Sequence, residues 1–348
     1  MESFVPDLTS SAPLDIELDI TSKCQLDCSY CSAAPLMGNE IPTALAIDLI
    51  EEMGRLGVFS LLLSGGEPTI HHGIMEVIAC ASENIPILTV NTNGIRLAKV
   101  AFAKRFHASA PGALVSISLD ATDVALNNKH RGSGGDQAKS AIENCLSLGQ
   151  RVNISCVLTE DNIDHADKLL EAYAGPVNKF SFFPRVPRDN AEIVPIEKAL
   201  VFWKKFHEFS EYVNSRYPSE GQISVMLPFT KLQPSERGAL FEHVKGCCCA
   251  YTRIYISSDL RVYPCYYSAG SDNYIGSCKT STISDLWKND TVGAIRQRAR
   301  SECLCGVSFY SDKIPYRFLS ADHIKLKNFA EKLKQESGEK WRAILWKG

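Results

Sequence analysis

The hydrophobic positions in the first half of the chain alternate between the period of a strand and the period of a helix. Residues 15–20 alternate polar and apolar side chains, as a half-buried strand does, whereas Ile47, Leu49, Ile50 and Met53 recur at helical spacing. This change of period repeats and predicts six strands with helices between them. The predicted strands cover residues 15–20, 59–63, 87–90, 114–119, 152–158 and 178–183, and the predicted helices cover residues 43–56, 74–81, 99–107, 137–148 and 163–173.

Strands and helices that alternate in this way indicate a parallel sheet with right-handed crossovers. The period of the pattern does not distinguish an open doubly wound sheet from a barrel. In both architectures, ligands bind at the carboxyl ends of the strands. Polar residues occur at two such ends, with Asn91 and Asn93 on the third strand and Ser116, Ser118 and Asp120 on the fourth.

Three cysteines follow the first predicted strand directly. Cys24, Cys28 and Cys31 have the spacing C-x3-C-x2-C, and Tyr30 precedes the last of them. Three thiolates on a short loop can ligate three irons of a 4Fe–4S cluster and leave the fourth iron without a protein ligand. An open position on a redox-active metal indicates a reactive site, because structural sites are closed. The alternative is a zinc loop, which needs a fourth ligand that no nearby His or Cys supplies.

The second predicted strand runs directly into Gly65-Gly66-Glu67-Pro68. Glycine lets a backbone approach a ligand closely, and such a turn exposes its peptide groups. Together with the cysteine motif, this element resembles the radical S-adenosylmethionine (SAM) superfamily. The resemblance implies an α/β fold, a partial (β/α)6 TIM-like barrel, with SAM and a 4Fe–4S cluster bound at the carboxyl ends of the strands.

The resemblance also implies roles for individual residues. Cys24, Cys28 and Cys31 would ligate the cluster, and SAM would chelate the open iron through its amino and carboxylate groups. An electron from the cluster would cleave SAM to methionine and a 5′-deoxyadenosyl radical, which takes a hydrogen atom from the substrate. The expected SAM contacts are Tyr30 against the adenine; the backbone of Gly65, Gly66 and Glu67 at the amino group; Ser118 and Arg131, the latter in the loop after the fourth strand, at the ribose and carboxylate; and Asn93 at the end of the third strand.

A second group of cysteines lies in the last third of the chain. A cysteine triplet at residues 247–249 precedes two strand-like runs that predict a hairpin around residues 257–259. The region resembles the SPASM/twitch extension of radical SAM enzymes, which implies one auxiliary iron–sulfur cluster, of the 4Fe–4S type. A structural zinc site made from the same thiols is the alternative. The implied cluster ligands are Cys249, Cys265, Cys303 and Cys305.

Three details of this region depart from the family pattern. Leu260 stands where the family has glycine, so we expect a hairpin turn that is built differently. The last cysteine pair is C-x-C instead of C-x2-C, so one of its thiols need not ligate. The adjacent Cys247, Cys248 and Cys249 remain interchangeable candidates for one ligand position. Cys278 is left over, and we consider it a candidate catalytic residue that donates a hydrogen atom to a substrate radical.

Composition and charge narrow the class of protein. The 348 residues are 45% hydrophobic with a net charge of −3, which gives no general attraction to nucleic acid or acidic membranes. The sequence shows no signal peptide and no run of about 20 apolar residues that would span a membrane. Thirteen cysteines without an export signal indicate thiols that serve metal in a reducing compartment, so we predict a cytoplasmic protein.

The chain divides into five predicted segments. A stretch rich in Ser, Pro and Gly indicates a linker, and an apolar stripe at helical spacing near the end indicates a docked helical tail. The segments are a lead-in at residues 1–14, the barrel at 15–216, the linker at 217–245, the auxiliary-cluster domain at 246–318 and the tail at 319–348.

Two enzymatic functions remain open. We predict a maturase that abstracts hydrogen from a ribosomally synthesised peptide, with crosslinking, oxidation or epimerisation as the outcome and a flavodoxin or ferredoxin as external electron donor. Only about twenty residues precede Cys24, so a leader-binding module is expected to be a separate protein. The alternative is a dehydrogenase or rearrangement enzyme that acts on a small molecule such as an aminocyclitol or sugar. A non-enzymatic electron carrier would need neither the Gly-Gly-Glu element nor an open coordination position.

Overall fold

The computed structural model describes most of the barrel and of the hairpin region. The described residues are 11–31, 38–185, 205, 208–209, 212–213, 215–216, 223–225, 230–231, 250–299 and 307–308. Cys249, Cys303 and Cys305, most of the predicted linker and the predicted tail at residues 319–348 lie outside them.

Six parallel strands lie side by side in the order of the sequence. The short β7 (Ile223–Val225) pairs with the sixth strand and extends the sheet, which stays open among the described residues. The strand order confirms the predicted parallel sheet and is that of a partial barrel. The six strands are β1 (Asp15–Thr21), β2 (Ser60–Gly65), β3 (Ile87–Thr92), β4 (Leu114–Ser118), β5 (Arg151–Leu158) and β6 (Lys179–Pro184).

Helices connect successive strands. Five of them occur where the apolar period predicts, while α4 (Val124–Arg131) was not predicted because its buried residues are Asn127 and Arg131, not an apolar stripe. The Asp123 carboxylate caps this helix by accepting a hydrogen bond from the backbone N–H of Leu126 at 2.8 Å. Arg131 therefore ends a helix, and its predicted place in a loop was wrong. The other helices are α1 (Thr43–Leu56), α2 (Ile74–Asn84), α3 (Val100–Ser109), α5 (Gly135–Ser147) and α6 (Ala166–Tyr173).

The two faces of β1 have opposite character, as strand alternation requires. Ile16, Leu18 and Ile20 are fully buried in the hydrophobic core with the apolar face of α1. Glu17 and Asp19 lie on the other face, towards the interior of the partial barrel. That interior is polar, which leaves space and hydrogen-bonding groups for a ligand.

The predicted hairpin continues the sheet beyond β1. Its first strand, β9 (Arg253–Ile256), pairs in parallel with β1 and antiparallel with β10 (Arg261–Tyr263), which in turn pairs with β11 (Gly276–Ser277). The helices α7 (Ile283–Lys288) and α8 (Asp290–Ala299) follow, and β8 (Thr230–Lys231) pairs separately with β12 (Val307–Ser308). None of the described helices is both long enough and apolar enough to cross a membrane.

Leu260 occupies the hairpin turn with a φ of 69°, in the left-handed region that glycine favours. Its N–H donates to the carbonyl oxygen of Ser257 at 2.7 Å, and its side chain is buried. The leucine therefore stands in a backbone conformation that side chains rarely adopt, and the prediction of a differently built turn stays a prediction. A strain of about 1–2 kcal/mol is offset by burial of the leucine side chain.

Candidate active site

The carboxyl ends of the six parallel strands surround a cleft of about 270 Å³. Its walls come from the loop after β1, the turn after β2, the last residues of β3 to β6 and one residue that follows the hairpin. This is the end of the sheet at which the chemistry was predicted. The predicted residues that line the cleft are Cys24, Cys28, Tyr30, Cys31, Gly65, Gly66, Glu67, Asn93, Ser118 and Arg131.

The Gly-Gly turn after β2 lies directly against the cysteine loop. A Cβ atom on Gly65, whose φ is 130°, would lie 2.1 Å from the carbonyl oxygen of Thr21, and one on Gly66 would lie 2.3 Å from that of Lys23. The N–H groups of Gly66 and Glu67 donate to these same two carbonyl oxygens at 2.7 and 2.9 Å. Any side chain here would therefore displace the loop that carries the three cysteines.

Glu67 joins the turn after β2 to the end of β3. Its carboxylate is 1% exposed and accepts four hydrogen bonds, from the N–H (3.0 Å) and hydroxyl (2.5 Å) of Thr69, the hydroxyl of Thr92 (2.7 Å) and the N–H of Asn93 (2.6 Å). Burial raises the pKa of Glu67, and these bonds oppose that shift. The amide of Asn93 in turn points at the sulfur of Cys24, 3.9 Å away. Both carboxylate oxygens of Glu67 therefore accept hydrogen bonds from within the protein, and its backbone N–H contacts the cysteine loop.

The three cysteines of the loop are free thiols on one wall of the cleft. Burial raises the pKa of Cys24 and raises that of Cys28 to about 11, and the nearby thiol of Cys31 adds to both shifts. The Cys28 thiol donates to the carbonyl oxygen of Arg131 at 3.8 Å. Without metal the thiols of Cys24 and Cys28 are therefore neutral, and a metal would bind as it displaces their protons. Three soft donors on one loop at a single cleft fit a cluster held by three thiolates.

Tyr30, Asp120 and Arg131 form a buried polar cluster across the cleft. The Tyr30 hydroxyl donates to Oδ2 of Asp120 and accepts from Nη1 of Arg131 at 2.9 Å, while this Nη1 lies 3.6 Å from Oδ2 of Asp120. Burial raises the pKa of Tyr30; burial alone would lower the pKa of Arg131, but Tyr30 and Asp120 raise it overall. Asp120 was noted as a strand-end residue but was missing from the predicted site. Asp120 comes two residues after Ser118, so strand alternation places both on the same face, and this spacing could have indicated that Asp120 belongs to the site.

Tyr266 brings the region after the hairpin to the cleft. It follows the predicted auxiliary ligand Cys265, lines the cleft and packs edge-on against Tyr255 with 5.3 Å between ring centroids. The Tyr255 hydroxyl donates to Oδ2 of Asp19 at 2.6 Å. Sequence reasoning missed Tyr266, although its position next to Cys265 could have suggested it. The buried thiol of Cys265 therefore belongs to a turn that borders the cleft.

The structure does not bring Cys278 to the cleft. This residue follows β11 at the outer edge of the sheet, its N–H donates to the carbonyl oxygen of Leu260 at 2.9 Å, and its side chain packs against the hydrophobic core. Burial raises its pKa to about 12. Its role as a hydrogen donor stays a prediction.

Two family models match this chain. The radical SAM superfamily model matches residues 18–173, and the model of the SPASM iron–sulfur cluster-binding domain matches residues 247–306. The chain therefore belongs to the radical SAM superfamily and carries a SPASM domain. The predicted family, the SAM-binding 4Fe–4S cluster, SAM and the binding of auxiliary iron–sulfur are thereby confirmed.

Curated relatives include maturases and a peptide cyclase. The chain is 24% identical to the mycofactocin maturase MftC of Mycobacterium tuberculosis over 304 residues, which cover 85% of this chain and 75% of that protein. It is 29% identical to MftC of Mycolicibacterium smegmatis over 59% of this chain and spans about half (51%) of that relative. A PqqA peptide cyclase of Granulibacter bethesdensis is 28% identical over 47% of this chain and 45% of its own length.

Solved structures share the fold. anSMEcpe with bound AdoMet has a TM-score of 0.69 at 16% identity and covers 96% of this chain and 99% of its own. SuiB of Streptococcus suis, bound to its precursor peptide SuiA, has a TM-score of 0.65 at 18% identity, with 85% of this chain and 71% of its own covered. These likenesses confirm the predicted fold class.

Proposed function

We propose that this protein is a radical SAM maturase that abstracts a hydrogen atom from a ribosomally synthesised peptide and leaves a crosslinked, oxidised or epimerised residue. The observation that carries the proposal is the shared cleft, in which the three cysteines face Tyr266 from the SPASM region. The names of the curated relatives, maturases and a peptide cyclase, support a peptide as the substrate.

The residues of the chain would hold and orient the reactants. When bound, the cluster and SAM supply a reducing electron and a 5′-deoxyadenosyl radical that removes hydrogen from the substrate. The backbone from Gly65 to Glu67 would receive the amino group of SAM, and Arg131 would receive its carboxylate. Ser118 would contact the ribose, and the ring of Tyr30 would lie against the adenine.

Cys265 would hold the auxiliary cluster beside the substrate. We propose one such cluster, ligated by Cys265 with Cys249, Cys303 and Cys305, which binds the peptide or accepts the second electron of an oxidation. The cluster domain at residues 246–318 would join the barrel through the pairing of β9 with β1. The reducing electron would come from a flavodoxin or ferredoxin in the cytoplasm, and a separate protein would bind the leader peptide.

The proposal is tested by anaerobic reconstitution of the wild type and of a variant with Cys24, Cys28 and Cys31 changed to Ala. About eight irons per chain should fall to about four in the variant, and formation of 5′-deoxyadenosine should be lost. Four irons that fall to none would contradict the auxiliary cluster.

The substrate class needs a second assay. The reconstituted enzyme is incubated with candidate precursor peptides, in particular short peptides encoded beside the gene, and the products are analysed by mass spectrometry. Loss of a hydrogen pair, or incorporation of solvent deuterium at one Cα, is the expected result. Turnover of an aminocyclitol or sugar, with every peptide left unchanged, would refute the peptide assignment and favour the small-molecule alternative.

A further inference from the structure

The cysteine loop is fastened across the cleft by contacts that involve no metal. The hydroxyl of Tyr30 donates to the carboxylate of Asp120, and the N–H of Ser29 donates to the carbonyl oxygen of His130 at 2.7 Å. Both partners lie at or beyond the end of β4. The loop therefore has a defined position in the protein chain alone.

Asp120 is a rigid acceptor, because three elements hold it. Its Oδ1 accepts from the N–H of Val157 on β5 at 2.8 Å, its own N–H donates to the side chain of Asn127 on α4 at 2.9 Å, and its carbonyl oxygen accepts from the side chain of Asn162 at 3.0 Å. The residue is 3% exposed. These contacts leave Oδ2 for Tyr30 and Arg131.

We infer that Asp120 is a positioning residue that, through the hydroxyl of Tyr30 and the guanidinium of Arg131, shapes the cysteine loop and directs Arg131 at the cleft before any cofactor binds. This goes beyond the proposed function, since packing against an adenine requires only an aromatic ring at position 30. Phenylalanine would supply that ring, but only tyrosine reaches Asp120. The buried Arg131 also gains a compensating charge, without which its burial would be costly.

The first test uses the protein without metal and compares the wild type with Tyr30→Phe, which removes one hydroxyl and keeps the ring. Alkylation by iodoacetamide is followed for each cysteine by peptide mass spectrometry. We expect Cys28 and Cys31 to react about tenfold faster in the variant, equivalent to about 1.4 kcal/mol, the low end of the range for a hydrogen bond to a charged group. The buried Cys145 and Cys156 should be unchanged, so general unfolding would be recognised.

The matched control is Tyr251→Phe, which also removes one hydroxyl from a tyrosine and keeps the ring. The hydroxyl of the buried Tyr251 donates to the carbonyl oxygen of Arg296 at 2.9 Å, and Tyr251 does not line the cleft. Loss of this hydroxyl should leave alkylation of the loop cysteines unchanged. Equal rates in the wild type and Tyr30→Phe, or an equal acceleration in the control, would overturn the inference.

The second test separates positioning of Arg131 from a general structural effect. In reconstituted Asp120→Asn, the KM for SAM should rise about tenfold while kcat for 5′-deoxyadenosine formation stays within about twofold and the iron content is retained. Asp120→Glu, which keeps the charge, should recover part of the affinity. An unchanged KM in Asp120→Asn would refute the role of Asp120 towards Arg131. The alkylation result does not depend on the substrate, so it stands even if the protein does not modify peptides.

Discussion

Glu67→Gln tests whether the carboxylate of Glu67 holds the turn after β2 to the end of β3. Oε2 accepts one hydrogen bond, from the N–H of Asn93, whereas Oε1 accepts three, from Thr69 and Thr92. Glutamine replaces one of these oxygens by a donor. In its less costly orientation the amide nitrogen stands at the Oε2 position, where it faces the N–H of Asn93 and leaves that buried group unpaired.

The magnitude follows from these contacts. One buried N–H without an acceptor costs about 1–3 kcal/mol, and the three remaining bonds weaken when their acceptor loses its charge. Removal of a buried charge recovers part of this loss, because burial disfavours the ionised carboxylate of Glu67. We expect the free energy of unfolding of the metal-free protein to fall by about 2–3 kcal/mol in Glu67→Gln.

The assay is urea unfolding of the metal-free protein, followed by circular dichroism. Glu51→Gln is the control, since Glu51 lies exposed on α1 and its pair with Arg55, at 3.7 Å, contributes less than about 1 kcal/mol. A Glu67→Gln midpoint equal to that of the control would refute the assignment of the carboxylate as the connection between the two strands.

Three further predictions concern the loop, the barrel interior and the hairpin. Gly66→Ala should lower the iron retained after reconstitution from about eight towards about four per chain, since its Cβ would lie 2.3 Å from the carbonyl oxygen of Lys23 and would displace the cysteine loop. Gly112→Ala is the control, because a Cβ at Gly112 meets open space. Burial raises the pKa of Asp19 to about 7, so between about pH 4 and 7 the folded protein keeps a proton that the unfolded chain has lost. The free energy of unfolding therefore falls as pH rises through this range. In urea unfolding, Asp19→Asn should make this fall shallower by about 1.4 kcal/mol per pH unit. Tyr266→Ala should raise the KM for the peptide and leave substrate-free SAM cleavage unchanged.

Each of these predictions has an outcome that would contradict it. Wild-type iron content in Gly66→Ala would mean that the cysteine loop can shift to accommodate the added methyl group and still bind its cluster. Parallel stability profiles for the wild type and Asp19→Asn would mean that Asp19 ionises normally in the folded protein. Loss of substrate-free SAM cleavage in Tyr266→Ala would place Tyr266 in SAM binding instead of peptide binding.

The strands, the helices and their parallel sheet could be predicted because apolar period and strand length are local properties of the sequence, whereas the barrel order of the strands came from the family resemblance. The cysteine loop and the Gly-Gly turn were also accessible, since each is a contiguous motif at a predicted strand end. The helix α4 was not, because a helix whose buried side chains are Asn127 and Arg131 has no apolar period to detect. The burial of Asn127 and Arg131 depends on their contacts with Asp120 and Tyr30, and Tyr30 lies 101 residues from Arg131 in sequence.

The contribution of the hairpin region to the cleft depends on a pairing between segments more than 200 residues apart. Tyr255 of β9 pairs with Glu17 of β1 on one side and with Tyr263 of β10 on the other. The last residue of β10 is therefore level with Glu17, in the first half of β1. Paired residues of neighbouring strands project from the same face, which puts Tyr255 on the face that carries Glu17 and Asp19. Tyr266 packs against Tyr255 on this side and reaches the cleft.

This pairing also explains why Tyr266 of the SPASM region and the cysteine loop line the same cleft. A SPASM region joined to the barrel by a linker alone would leave Cys265 at a variable distance from Cys24. Strand pairing between β9 and β1 instead fixes the turn at Cys265 relative to the strand that leads into the cysteine loop. A second bond, from the hydroxyl of Tyr255 to the buried carboxylate of Asp19, holds the same two segments together. A substrate bound between Cys24 and Tyr266 would therefore contact both halves of the protein at once.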